Sequence, residues 1–111
     1  MLEQVYKLTK SNQKLIEKVI IDENVHYNHM IMPKGEGLPL HKTNSNVYMT
    51  VIRGILTISL GAEETRIYES GTVLKIPNGI EMFARNENDE ILEITVVKAP
   101  APTNIKQEIK K

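Results

Sequence analysis

GEGLPLHKTNSNVYMTVIRG (Gly35–Gly54) and GTVLKIPNGIEMFARN (Gly71–Asn86) decide how this chain folds. In both, glycine, proline and asparagine bracket short runs of β-branched and apolar residues, the punctuation of strands joined by tight turns. Working outward from them, the same rhythm covers nearly the whole chain. Strands are predicted at Val5–Leu8, Leu15–Ile21, Val25–Met32, Val47–Arg53, Ile55–Leu60, Thr65–Glu69, Val73–Ile76, Ile80–Arg85 and Ile91–Val97. Turn signals recur about every ten residues, which is the spacing of an all-β sandwich or barrel. The chain divides into residues 1–24, N-terminal strands at a barrel edge; residues 25–97, the barrel; and residues 98–111, a tail. In that tail Pro100 and Pro102 resist both helix and central strand. Ile105 and Ile109, four apart beyond a capping Thr103 or Asn104, allow one short helix.

The two opening stretches resemble the motifs of the cupin superfamily, small double-stranded β-helix (jelly-roll) barrels. The first family motif is G-x5-H-x-H-x3–4-E-x6-G, and Gly35, His41, Thr43, Val47 and Gly54 fall at its intervals. The second is G-x5-P-x-G-x2-H-x3-N, matched by Gly71, Pro77, Gly79, Met82 and Asn86. Every position that shapes the backbone is kept. Of the four positions that hold metal in metal-binding members, only His41 is kept, and Thr43, Val47 and Met82 stand at the others. A lone imidazole with a hydroxyl does not hold a hard divalent ion. The resemblance therefore implies an all-β cupin barrel without the family's metal and with no cofactor expected.

Alternation along strands sends every second side chain to one face. With His41 and Met82 inward, the expected lining is Asn28, Met30, Met32, His41, Thr43, Val47, Met49 and Met82. Tyr27, His29 and Ile31 face outward. Three readings fit such an interior. Methionines fill irregular cores well, and His41 is then a satisfied core polar group. Alternatively, the set is an apolar small-molecule pocket with His41, Thr43 and Asn28 as polar anchors. A transition metal enters only through Cu(I), which thioethers and imidazole suit. His41 is also the candidate catalytic residue of an isomerase, epimerase or decarboxylase, although no carboxylate is expected inside to orient it. An accessory protein with a filled barrel is the third function class.

Composition narrows the partners. Fourteen basic residues balance fourteen acidic ones, so no positive field gathers nucleic acid. The apolar runs are too short to span a bilayer, and the charged N-terminus has no signal-peptide core. Cysteine is absent, which removes disulfides and thiolate chemistry and fits a cytoplasmic protein. His26 and His29 alternate to opposite faces, and Arg53, Arg66 and Arg85 are expected to be solvated or at an interface. Glu87 to Glu90 reads as an acidic turn. The apolar N-terminal third, from Val5 to Ile21, predicts a homodimer that covers an edge strand.

Overall fold

The computed structural model describes residues 2–102, and they fold as two antiparallel sheets with no helix. The strands are Leu15–Ile21 (β1), His26–Met32 (β2), His41–Lys42 (β3), Asn46–Arg53 (β4), Ile55–Leu60 (β5), Arg66–Glu69 (β6), Val73–Ile76 (β7), Glu81–Arg85 (β8) and Leu92–Ala99 (β9). One sheet runs β1-β2-β9-β4-β7 and the other β3-β8-β5-β6. This is the expected double-stranded β-helix, in which the chain crosses between the two sheets at every connection except β1–β2 and β5–β6.

Hydrophobic alternation sets which faces meet. Met30 and Met32 of β2, Val47, Met49 and Val51 of β4, and Leu92, Ile94 and Val96 of β9 point inward from the larger sheet. Leu56, Ile58, Met82 and Ala84 meet them from the smaller sheet. Full burial of such side chains contributes about 1.5–3 kcal/mol each. The register fixes the pairing: Met30 lies opposite Ile94, and Val51 lies opposite Ile94 on its other side.

Turn residues close the strands as the motifs imply. Gly35, Gly54, Gly71 and Gly79 all have φ between +81° and +91°. Gly54 joins β4 to β5, and a Cβ there would run into the carbonyl of Ile91. Asn86 is fully buried and acts as a clamp. Its Nδ2 donates to the carbonyls of Met32 at 2.9 Å and Glu90 at 2.7 Å, while its Oδ1 accepts from the Asn88 amide at 2.9 Å.

Two expectations are corrected. Val5–Leu8 is irregular, and residues 2–14 form no strand: the segment has the apolar spacing of a strand but no ladder to join. Conversely His41–Lys42 is a strand, too short and too polar on its far side to show periodicity. The helix expected after Pro102 lies outside the described residues.

Candidate functional site

A cavity of about 270 Å³ opens into the barrel between the sheets, lined by Met30, Leu38, Pro39, His41, Val47, Met49, Met82, Val96 and Lys98. β3 places His41 directly across from Met82 on β8. Val47 on β4 faces Lys98 on β9, so the inward file Leu92, Ile94, Val96 ends in a lysine. The loop before β3 adds Leu38 and Pro39, and the Leu38 amide is tied to the Ala84 carbonyl at 2.9 Å. Gly37 lies so close to Arg85 that a Cβ would fall 2.7 Å from the arginine Cβ, which holds the loop down on β8.

His41 is oriented by its own loop. Its Nδ1 lies 2.8 Å from the Pro39 carbonyl. A carbonyl only accepts, so Nδ1 carries the hydrogen, and the neutral ring keeps its lone pair on Nε2. The ring thus offers an acceptor beside a wall of thioethers and aliphatic groups.

Of the residues expected to line the interior, Met30, His41, Val47, Met49 and Met82 meet at this cavity. Asn28, Met32 and Thr43 do not. Met32 is packed deeper, in the core. Thr43 is turned into its own loop, donating to the Ser45 carbonyl at 2.8 Å. Asn28 shares the inward face, but its Oδ1 is buried outside the cavity wall with no hydrogen-bond partner among the described residues. The residues that sequence reading missed are Leu38, Pro39, Val96 and Lys98. Val96 lies within the predicted strand Ile91–Val97 and follows from the period-two pattern, and Lys98 follows if that pattern is continued one residue past the strand's predicted end. The two loop residues carry no such signal.

The outer face of the larger sheet holds a second group of polar side chains. His29, expected at the surface, is completely buried there. Its Nδ1 lies 2.7 Å from Glu17 Oε1 on β1 and its Nε2 lies 2.6 Å from Glu93 Oε2 on β9. Carboxylates on both sides call for an N–H on each ring nitrogen, which is the imidazolium arrangement. Arg53, expected to be solvated or at an interface, donates from Nε to Glu93 at 2.8 Å, and its other nitrogens reach Asn12 and the Ser11 carbonyl. Glu93 thereby lies between the His29 ring and the Arg53 guanidinium. The Thr9 amide and hydroxyl also bond Glu17, at 2.9 and 2.8 Å. Together these groups fasten the segment before β1 to the sheet.

Arg85, likewise expected to be solvated or at an interface, is half-buried. It lies 4.3 Å over the Phe83 ring and bonds Glu87 and Ser59. Those bonds commit it within a broader surface groove of about 600 Å³. Arg66 is exposed, as expected.

The donor set does not fit the metal that the cupin fold commonly carries. Val47 and Met82 wall the cavity with apolar groups, and Thr43 Oγ1 is engaged with Ser45. Among the described residues, no three His, Asp or Glu side chains converge as a metal-binding group.

No protein-family model matches the chain. It is 37% identical over 106 residues to the uncharacterized protein MJ0764 of Methanocaldococcus jannaschii, covering 95% of this chain and 91% of that one. The crystal structure of MJ0764, an RmlC-like cupin with a double-stranded β-helix fold, matches with a TM-score of 0.88 at 35% identity, over 100% and 99% of the two chains. A cupin superfamily protein from Desulfitobacterium hafniense shares the fold alone, at 12% identity and TM-score 0.72, over 84% and 83%. A cupin-like protein of Thermotoga maritima does so at 17% and 0.74, over 81% and 71%. Two sheets in jelly-roll order, the turn glycines of both motifs, and a relative this similar along almost its full length lead to one assignment: the chain belongs to the RmlC-like cupin family.

Proposed function

We propose that this cupin binds a small, mostly apolar molecule in its barrel, without a metal. The supporting observation is the cavity itself, an apolar recess that carries an oriented imidazole acceptor. A packed interior would have left no such space. Ligand sites are typically apolar hollows with a few placed polar groups, and at about 270 Å³ this one suits a ligand smaller than a typical drug. Catalysis by His41 finds less support, because its Nδ1 is held by a backbone carbonyl and, among the described residues, no carboxylate lines the cavity.

The methionines provide the test. In a methyl NMR titration with the neutral probe 3-phenylpropanol, the Met30, Met49 and Met82 methyls should shift while Met32, buried outside the cavity, stays nearly still. No shift, or equal shifts at all four, would refute the pocket. Elemental analysis of untagged protein should find well below one transition metal per chain, and a near-stoichiometric metal would overturn the metal-free reading.

A further inference from the structure

Met30, Met49 and Met82 meet at the barrel cavity, and the aliphatic side chains of Leu38, Val47 and Val96 extend its apolar wall. One ring in that wall has a fixed hydrogen-bonding sense. His41 Nδ1 donates to the Pro39 carbonyl, so the neutral imidazole carries its lone pair on Nε2, where no described residue donates to it. Lys98 lies at the same recess but already has an interaction partner. The group left for a ligand to address is thus the His41 acceptor.

We infer that the ligand is a small aromatic molecule with one neutral O–H or N–H donor, a phenol or an N–H heterocycle, its ring against Met30, Met49 and Met82 and its donor on His41 Nε2. This rests on the cavity being a binding site. Three features carry it. Thioether sulfur is polarisable and packs favourably at the edges of aromatic rings, and three methionines share this one small recess. Nε2 selects for a donor, because a bound molecule that covers it without donating costs it the hydrogen bond that water supplied. At about 30 Å³ per liquid water, the cavity of about 270 Å³ holds roughly nine waters, which is room for one ring or a fused pair with a short substituent.

Other chemistries of that size have less to gain. An ether or ketone turned toward Nε2 sets lone pair against lone pair. An ion of either sign leaves water for a wall of thioethers and aliphatic groups. A saturated alcohol keeps the hydrogen bond and loses the contact between sulfur and ring.

The test compares three probes by calorimetry and by methionine methyl shifts, at about pH 8, where an imidazole is neutral. They are 4-ethylphenol, 4-ethyltoluene, which puts a methyl in place of the hydroxyl, and 4-ethylcyclohexanol, which keeps the hydroxyl without the aromatic ring. His41→Phe keeps a ring and removes the acceptor. It should weaken the phenol about fivefold more than it weakens 4-ethyltoluene, with a thermal melt confirming that the variant is folded. On the parent protein, the nitrogen NMR signal of His41 Nε2 should move on adding the phenol and stay in place on adding 4-ethyltoluene. The phenol should also bind several-fold tighter than 4-ethylcyclohexanol. Equal weakening of phenol and toluene in the variant, or a still Nε2 signal while the methyls shift, would overturn the donor inference and leave the pocket standing. Equal or tighter binding of 4-ethylcyclohexanol would overturn the aromatic assignment. If no probe shifts the Met30, Met49 and Met82 methyls, the pocket and this inference fall together.

Discussion

A single buried histidine shows how much a residue's neighbours decide. His29 was readable as outward-facing from strand alternation alone. Its complete burial was not, because Glu17 and Glu93 lie 12 and 64 residues away and reach it only through the β1-β2-β9 register. The Glu17 carboxyl is held below its ordinary value of 4.5, first by the Thr9 amide and then by the His29 ring. In acid the folded protein therefore binds fewer protons at Glu17 than the unfolded chain does. The stability this adds is complete above about pH 4.5 and is lost as pH falls through the lower folded value. Glu17→Gln keeps an acceptor oxygen and removes the charge. The variant should be less stable than the parent at neutral pH, and the gap should close as pH falls below 4.5 through the lower folded value. Urea midpoints across the range check this. A gap independent of pH would mean that Glu17 acts through shape alone.

Strands that alternate over four or more residues were legible, and eight of the nine observed ones coincide with predicted runs to within a residue or two. The exceptions share a cause. Val5–Leu8 has the composition of a strand without a partner, and composition does not encode pairing. His41–Lys42 pairs with β8 over two residues only, too few for a period. The cavity followed the same rule: Met30, Val47, Met49 and Met82 came from alternation, whereas Leu38 and Pro39 depend on a loop path that alternation does not describe. The turns between strands were legible as glycines, but their energies differ. Gly54 and Gly71 both have positive φ, yet a Cβ at Gly71 meets nothing within 4 Å while one at Gly54 collides with Ile91 backbone. Gly71→Ala should therefore cost about 1–2 kcal/mol, the left-handed penalty alone. Gly54→Ala should cost clearly more, since β5 must move away from the chain entering β9. Denaturant midpoints at unchanged slope measure both, and equal losses would mean that the barrel corner is softer than its geometry implies.

On the scale of the whole molecule, the open edges of the sheets are unequal. β6 and β7 have four residues each and β3 two, short enough to resist pairing with another chain. β1 has seven, at the outer edge of the larger sheet, with Ile16 and Ile21 each about half exposed. Val5, Tyr6 and Leu2, on the segment leading to it, are exposed as well. We propose that a second copy covers this edge. An antiparallel edge is self-complementary about a two-fold axis, so one interface closes the assembly and leaves no further edge of that kind exposed. The β-bulge between Lys18 and Ile20 twists the strand, which favours a contact made by both the strand and the apolar segment before it over a long continuous ladder. Light scattering at about 10 μM should give twice the chain mass of 12.6 kDa. Ile16→Lys with Ile21→Lys should shift that mass toward the monomer, because both side chains are exposed in one copy and buried only between two. A monomeric parent protein at that concentration would rule the dimer out, and β1 would then be an edge guarded by its bulge and by Lys18.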